Sequence, residues 1–350
     1  MADKESWQEH RRVTWERGVS SSSRPLVLIQ DLHTPRFPPG DGMTVHPGDL
    51  AWPARPLVPW VVVGERGSGV TSFARWVQGT LPALGLEAEL PHVAEASTGE
   101  DVGGDTRHLL RRILGSNGDL PRVLVVDQVE RLGADAPAFF AKVRGALETG
   151  TYDPKLQGLF LLGHDETLFD EVTWSGLLSL CKMFRTPYFE MNDLVGPQDL
   201  ALAPSVAASV LDWTGGQPLL VSQYLDELHR HAQAPPGAEP WDAPPELLRR
   251  VGMWLVAHPP DHLRSWRAAL LRQLDRRPTV VPLLRDLMRD DLLRDPPPDV
   301  IGLYLSGWLS RSRRPHGATV DAAPSWGLSR AHQAWAKDAL REYDARRRRP

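Results

Sequence analysis

The sequence predicts an α/β fold, a mostly parallel β-sheet with helices on both faces, followed by a largely helical C-terminal region. Short aliphatic runs alternate with longer segments of helical periodicity, as in chains that build parallel sheets. Several of these runs are apolar at consecutive positions, which is typical of strands buried on both faces. The predicted strands are Pro25–Gln30, Trp60–Val63, Leu86–Leu90, Arg122–Asp127, Leu159–Gly163 and Pro187–Met191.

The length and the punctuation of the chain indicate more than one domain. A chain of 350 residues suits two or three cores. We expect an N-terminal arm with an irregular segment (1–54), a sheet domain (55–196), a helical segment (197–233), a winged-helix-like domain (246–310) and a C-terminal helix with a basic tail (311–350). The proline-rich stretch 234–245 marks the boundary before the winged-helix-like domain.

The composition is that of a globular protein outside the membrane. The sequence has no run of 18 apolar residues and no apolar segment behind its charged N-terminus, so we expect neither a membrane span nor a signal peptide. The single cysteine, Cys181, excludes an intrachain disulfide, and its apolar surroundings predict a small buried side chain. We therefore expect a cytoplasmic location.

The net charge of −4 is unevenly distributed. Residues 246–350 hold 20 Lys and Arg against 12 Asp and Glu, whereas residues 1–245 hold 20 against 32. A basic C-terminal third indicates a surface for nucleic acid or for an acidic partner. The alternative is an ordinary solvated surface, because the basic residues are interleaved with acids except at Arg346–Arg349.

A glycine-rich segment between a predicted strand and a predicted helix indicates phosphate binding. The P-loop pattern G-x-x-x-x-G-K-[ST] places glycines where the backbone approaches phosphate and helix N–H groups face the anion. Gly64 and Gly69 occupy the glycine positions and Thr71 the hydroxyl position, but Val70 stands in place of the lysine. The candidate nucleotide-binding residues of this loop are Gly64, Gly67, Ser68, Gly69, Val70, Thr71 and Ser72.

A second motif follows the aliphatic strand Arg122–Asp127. A carboxylate at the end of a buried strand beside the P-loop strand can hold Mg²⁺, which is the Walker B role. Asp127 is therefore the candidate metal-binding carboxylate, together with the hydroxyl of Thr71. Glu130 is the candidate catalytic residue that would polarise a water, and Asp127 supports the same chemistry. Gln128 occupies the position directly after Asp127.

A third motif, together with the first two, makes the chain resemble a known class of proteins. Gly216-Gln217-Pro218 is similar to the Gly-x-Pro motif that opens a lid helix and touches the nucleotide in AAA+ ATPases. With the glycine-rich loop and Val125–Glu130, it makes residues 55–310 resemble the STAND branch of that class and the AAA-type ATPases close to it. The resemblance implies an ATP or ADP site with Mg²⁺, a nucleotide contact at Pro218, a lid over residues 197–233 and a winged helix. It also implies a role in bacterial signalling or defence, with a partner protein or effector and with oligomers.

Three functions remain open at this point. The first is a nucleotide-binding switch or scaffold that acts through a partner, the second an active ATPase that remodels or loads a partner on DNA, and the third a winged-helix DNA-binding regulator. Val70 favours the first, because the absence of a lysine removes charge stabilisation from the transition state, while backbone N–H groups still bind phosphate. Hydrolysis is expected to be weak or absent, and contact with nucleic acid to be nonspecific.

Overall fold

The chain is described in two compact units. The computed structural model describes residues 26–30, 44–45, 57–64, 68, 70, 73–74, 77, 87–89, 102–115, 121–163, 176–186, 188–195, 202–231, 242–261, 263–289, 303, 308–312 and 325–348. One unit lies within Ser22–Pro187 and the other within Tyr188–Pro350. No helix among these residues is long and apolar enough to span a bilayer.

The first unit is built on one sheet, with seven strands in the described part of the chain. They are β1 (Leu26–Gln30), β2 (Thr44–Val45), β3 (Trp60–Val63), β4 (Glu87–Glu89), β5 (Arg122–Val126), β6 (Leu156–Gly163) and β7 (Lys182–Arg185). Their order across the sheet is β2-β1-β7-β3-β6-β5-β4. The strands from β7 to β4 run parallel, and β1 pairs antiparallel with both β7 and β2. The helices α1 (Val102–Leu114) and α2 (Ala136–Thr149) flank the sheet, so the predicted α/β class is confirmed.

The position predicted for the last parallel strand is wrong. The sequence pattern places it at Pro187–Met191, but the strand is β7, and Met191 begins a helix. Because β7 lies between β1 and β3, its residues need backbone hydrogen bonds on both sides, and proline has no N–H to donate. The true strand is hard to recognise from the sequence because the strand begins and ends with the charged residues Lys182 and Arg185. The side chain of Arg185 is nevertheless buried, since the residue is only 3% exposed.

An apolar core joins β3 to the helix that follows it. The described residues of that helix, Val70, Phe73, Ala74 and Val77, recur at helical spacing and are buried. They form one cluster with Val62, Val123, Val125, Phe160, Leu162 and Phe184, which come from four neighbouring strands. Trp60 stacks on Phe184 with ring centroids 4.3 Å apart. This cluster fixes the helix against one face of the sheet.

A buried ion pair holds α1 and the amino ends of β5 and β6 together. Arg122 donates to the Oδ2 atom of Asp153 at 2.7 Å, and both side chains are buried. Arg122 also donates to the carbonyl of Arg112 in the last turn of α1. The N–H of Asp153 donates to the carbonyl of Ile113 at 3.0 Å, while its Oδ1 accepts from the N–H of Lys155 at 2.9 Å. Carbonyls at the end of α1 thus find partners in Arg122, at the start of β5, and in the turn that leads into β6.

The second unit is mainly helical. Its elements are α3 (Met191–Val195), α4 (Pro204–Thr214), α5 (Pro218–His231), α6 (Pro245–Ala257), α7 (Leu263–Arg276), α8 (Val280–Leu287), β8 (Ser310–Ser312), β9 (Ser325–Gly327) and α9 (Arg330–Arg347). Proline at the first position of α4, α5 and α6 suits a helix start, where a backbone N–H has no intrahelical partner. The long C-terminal helix α9 contacts α4, α6 and α7. The helical pattern predicted for this region and for the tail is confirmed.

Three helices, α6 to α8, precede a two-stranded antiparallel sheet formed by β8 and β9. These strands lie later in the chain than the hairpin we predicted between residues 292 and 305. Most of that segment lies outside the described residues, and its described member, Leu303, is helical. The winged-helix assignment and the boundaries of the predicted domains therefore stay predictions.

A helical glycine lets α6 approach α4 closely. A Cβ atom built on Gly252 would lie 2.5 Å from the indole Nε1 atom of Trp213 and closer still to two ring carbons. Arg330, the first residue of α9, lies over the same indole ring and pairs with Asp212 at 2.5 Å. Trp213 is thus enclosed by residues from α6 and α9. Any larger residue at position 252 must displace this ring.

The buried ion pair predicts a large stability cost for one substitution. We expect Asp153→Asn to lower the free energy of unfolding by about 3–5 kcal/mol, because Arg122 would remain buried without its counter-charge. Urea unfolding followed by circular dichroism measures the loss, and alkylation of the single cysteine, Cys181, reports opening of the sheet unit. Burial raises the pKa of the Cys181 thiol, so it should react only after opening. Glu148→Gln is the control, since its pair with Arg144 is exposed and should contribute less than about 1 kcal/mol. Equal losses in both variants would contradict this expectation.

The two helical glycines Gly252 and Gly145 should respond in opposite ways to alanine. Gly145, in α2, has open space where a Cβ atom would lie, so Gly145→Ala should stabilise by up to about 1 kcal/mol through helix propensity. Gly252→Ala should destabilise by about 1–3 kcal/mol, because the methyl group overlaps Trp213. Thermal unfolding of both variants tests the pair. A stabilising Gly252→Ala would show that the approach of α6 to α4 is not tight.

Candidate functional site

The candidate loop leaves the sheet from its central parallel strand. β3 pairs with β6 on one side and with β7 on the other, and Val61 to Val63 are almost fully buried. The N–H of Gly64 donates to the carbonyl of Gly163 at 3.3 Å, and the N–H of Thr186 donates to the carbonyl of Val63 at 3.1 Å. The carboxyl ends of three parallel strands therefore meet around Gly64. This edge is where open α/β sheets bind their ligands.

Gly64 is in the tightest part of the turn. A Cβ atom built on it would overlap the hydroxyl of Ser68, and it would lie 2.6 Å from the hydroxyl of Thr186 and 2.9 Å from a methyl group of Val70. A residue with a side chain would not fit without moving its neighbours. The glycine that the motif places at position 64 is thus required by close approach of the backbone to side chains from the loop, the helix and the residue after β7.

The side chain at the lysine position is part of the core. Val70 is fully buried and belongs to the apolar cluster of the helix and the four strands. Complete burial of a valine contributes about 1.5–3 kcal/mol to the helix–sheet contact. Val70 is helical, as the motif predicts, but the residue that would bring a positive charge to phosphate instead contributes to packing.

Asp127 lies at the same edge of the sheet. It follows β5 directly, and its side chain is fully buried. Val126 pairs with Leu161, so continuing the register places Asp127 beside Leu162, which pairs with Val62 of β3. Two strand spacings, roughly 10 Å, then separate the Asp127 and Val62 backbones. Val125 belongs to the core cluster under the helix, so by alternation Asp127 is on the same face as that helix.

The chain reverses direction between Asp127 and Glu130. Gln128 has φ 61° and ψ 46°, the left-handed conformation, which non-glycine residues adopt infrequently. It precedes a 3₁₀ segment, Val129–Asp135, in whose first turn Glu130 is half-buried. The two candidate carboxylates are thus brought to the carboxyl end of β5, one buried and the other near the surface.

Several candidate residues lie outside the described part of the chain. They are Gly67, Gly69, Thr71 and Ser72 of the loop. The predicted proximity of Thr71 to Asp127 therefore stays a prediction, as does the role of Thr71 as a metal ligand. Among the described residues, no group of three or more His, Cys, Asp or Glu side chains is arranged to hold a metal ion. Mg²⁺ does not need such a group, because it is commonly held by one carboxylate, waters and substrate phosphates. The buried carboxylate of Asp127 fits that mode.

The Gly-x-Pro motif is a tightly built helix start in the second unit. Gly216 has φ +79°, and a Cβ atom on it would overlap the carbonyl oxygen of Phe189. Its own carbonyl accepts from the N–H of Phe189 at 2.8 Å. Gln217 is fully buried and accepts from the N–H of Leu220 at 2.7 Å, which satisfies a donor in the first turn of α5. Pro218 begins that helix, and its nucleotide contact remains an implication of the resemblance.

Two residues at the end of β7 lie beside β3 or its loop, and the sequence gives little or no indication of them. Arg185 stands out by position alone; it is the last residue of β7, it pairs in register with Val63, and its side chain is buried. Thr186 has no sequence signal of its own, although its hydroxyl approaches Gly64. Thr186 is hidden because the apolar pattern places the strand itself five residues too late.

Comparisons with known proteins give remote structural similarity alone. No family model and no curated protein matches the sequence. Among solved structures, the Orc1 protein of Aeropyrum pernix in complex with DNA is similar at 14% identity and a TM-score of 0.37, covering 83% of this chain and 88% of that one. A Walker-type ATPase of Pyrococcus abyssi has 12% identity and a TM-score of 0.41, with 81% and 90% covered.

A mutant of RuvB from Thermotoga maritima is similar at 14% identity and a TM-score of 0.41, with 81% of this chain and 87% of that one covered. Similarity at this level carries no functional argument. The α/β fold of this chain, with a glycine-rich turn after its central strand and a buried aspartate at the same edge, is established by its own residues.

Proposed function

We propose that this chain is an AAA+-type nucleotide-binding protein that holds ATP or ADP at the loop after β3 and hydrolyses it slowly or not at all. The observation that carries the proposal is that Gly64 and Asp127 lie at the same carboxyl edge of the parallel sheet, on strands separated by β6, and that the helix containing Val70 packs on that sheet. A helix N-terminus presents unpaired N–H groups and a partial positive charge, both of which attract phosphate.

The buried Val70 supports the second half of the proposal. In a P-loop the lysine meets the β- and γ-phosphates and neutralises the charge that develops during transfer. A residue that is fully buried in an apolar cluster supplies no such charge. Removal of one preorganised donor typically costs about 10²–10³ in rate. Ground-state binding depends more on the backbone N–H groups, so it survives the substitution better than hydrolysis does.

Mg²⁺, when bound with the nucleotide, would supply positive charge to the phosphates. Asp127 would hold it, with Thr71 as the second candidate from the sequence. Glu130 is the candidate to orient a water, but Gln128 holds the position directly after Asp127 and is neutral at neutral pH. Both features favour a protein that reports which nucleotide is bound over one that turns it over rapidly.

A protein partner is the second part of the proposal. Two basic side chains in and after α8, inside the predicted winged-helix-like domain, are engaged by acids of the same unit. Arg285 donates to Asp344 at 2.9 and 3.1 Å, and Arg289 lies 3.8 Å from Asp286. Carboxylates beside these arginines would repel phosphates, which dominate affinity for DNA. We therefore favour a switch or scaffold that contacts another protein, in signalling or defence, over a reader of DNA sequence.

The affinity for nucleotide should have one part that depends on Mg²⁺ and one part that does not. We expect the protein to bind ADP or ATP and to turn ATP over more slowly than about 1 s⁻¹, the low end of ordinary enzyme rates. Asp127→Asn should remove the gain in affinity that Mg²⁺ provides over EDTA and leave the remainder. Calorimetric titration of both proteins in Mg²⁺ and in EDTA measures this. Fast turnover that is abolished by Asp127→Ala would contradict the switch.

Introducing a lysine at position 70 should lower the stability of the fold and raise the affinity for nucleotide. We expect Val70→Lys to lower the melting temperature without ligand, because a fully buried core residue becomes charged. It should tighten nucleotide binding about tenfold or more, since a charge-assisted hydrogen bond contributes about 1.5–3 kcal/mol. Val77→Lys is the matched control: the same substitution in the same apolar stripe should lower stability without any gain in affinity. Equal affinities of Val70→Lys and the wild type would remove the argument from the missing charge.

Any DNA binding should reside in the C-terminal arginines. Replacement of Arg346–Arg349 by serine should abolish retention on DNA at low salt, whereas Arg285→Ala should have little effect because that side chain is already paired. The slope of log K against log salt should be no steeper than about −4, since the replaced run holds four charges and one of them, Arg346, is paired with Glu342. Sequence-dependent binding that survives the serine replacement at physiological salt would favour the DNA-binding alternative.

A further inference from the structure

Two buried hydroxyl groups at the candidate loop have no hydrogen-bond partner among the described residues. They are Ser68 Oγ, in the loop after β3, and Thr186 Oγ1, directly after β7. Each residue is only 3% exposed. Buried hydroxyls in native proteins nearly always find a partner, so such a pair indicates either a bound water or a ligand.

The two hydroxyls lie close to one another and to the same glycine. A Cβ atom on Gly64 would be no farther than 2.6 Å from either oxygen, so the oxygens lie within about 5 Å of each other. The backbone of Thr186 is fixed by its hydrogen bond to the carbonyl of Val63. Phe184 belongs to the core cluster under the helix, and by alternation Thr186 is on that same face of the sheet.

The chemistry at this point favours an anion. Each hydroxyl has one proton to donate, and both are near the amino end of the helix that contains Val70, where the field of the helix favours negative charge. The methyl group of Val70 is 2.9 Å from the same Cβ position of Gly64, so a neutral group occupies the place where the motif has a lysine. Two neutral donors, Ser68 in the loop and Thr186 directly after β7, lie near that place.

We propose that Thr186, together with Ser68, donates hydrogen bonds to the phosphate chain of the bound nucleotide and thereby replaces part of the interaction that a P-loop lysine would provide. Thr186 is a binding residue contributed by the strand beside the loop and not by the loop itself. This inference rests on the proposed function, because it names how that site holds phosphate. The end of β7 is then part of the site, so a shift of this strand would directly change the hydrogen bonds to the ligand.

The test separates a ligand-binding hydroxyl from a structural one. Thr186→Val keeps the shape and removes the hydroxyl, whereas Thr186→Ser keeps the hydroxyl, and Ser68→Ala removes its neighbour. Binding of ADP and of pyrophosphate is measured by calorimetry, and the melting temperature is measured without ligand. Thr149→Val is the control, since its hydroxyl is exposed at the end of α2 and bonds to the carbonyl of Gly145.

We expect Thr186→Val to bind both ADP and pyrophosphate about tenfold more weakly than the wild type, the loss expected for one hydrogen bond. Its melting temperature without ligand should be unchanged or higher, because a buried hydroxyl that lacks a protein partner has been removed. Ser68→Ala should weaken binding in the same direction. Thr186→Ser and Thr149→Val should bind as the wild type does.

The other outcomes distinguish the hydroxyl proposal from the proposed nucleotide site. Wild-type affinity in Thr186→Val and Ser68→Ala would overturn the hydroxyl proposal and leave the nucleotide site standing. Binding of pyrophosphate that depends on Thr186, with ADP bound no more tightly, would support the hydroxyls and overturn the assignment of an adenine nucleotide. No binding of either compound by the wild type would overturn both. Should Thr186→Val fail to fold, the contrast between Ser68→Ala and Thr186→Ser gives the same decision.

Discussion

The burial of β3 between β6 and β7 is the constraint on which the rest of the sheet unit depends. Because β3 is paired on both sides and buried, the chain can form the loop only after the carboxyl end of the strand. The helix that follows must then return across one face, and its stripe of Val70, Phe73, Ala74 and Val77 is buried there. The same packing that fixes the helix therefore decides the chemistry of the loop. The side chain at position 70 can either pack in the core or bind phosphate, and in this protein Val70 packs in the core.

The two edges of the sheet have opposite characters. At the amino edge, the buried Arg122 bonds to the carbonyl of Arg112 in α1 and to Asp153, and Asp153 also accepts from the N–H of Lys155. At the carboxyl edge, Gln128 has a left-handed backbone, Asp127 is a buried carboxylate, and two hydroxyls lack protein partners among the described residues. Departures from local rules cluster at functional sites, where the surrounding structure holds them in place. The contrast supports a site at the carboxyl edge and a structural role for the other.

The helical unit is organised around α9. The side chain of Trp335 donates to the carbonyl of Val256 at 3.3 Å, Arg285 bonds to Asp344, and Arg267 pairs with Glu342 at 2.7 Å. Charges that the sequence alone presents as a basic surface are thereby used in part within the unit. An excess of eight positive charges over residues 246–350 is a poor guide to the surface field when acids lie beside the arginines that matter most.

The sequence by itself determined the α/β class, the glycine-rich turn after Trp60–Val63, the aspartate after β5 and the start of α5 at Pro218. These follow from local signals: aliphatic runs, glycine and proline punctuation, and helical periodicity. It did not determine the last parallel strand, because charged ends disguised Lys182–Arg185 and their burial depends on strands distant in the chain. Nor did it place the antiparallel pair β8–β9, whose strands are three residues long and are defined by pairing with each other. Tertiary structure alone decided that Val70 is a core residue and that Thr186 lies beside Gly64, because both facts arise from the packing of separate elements at one edge of the sheet.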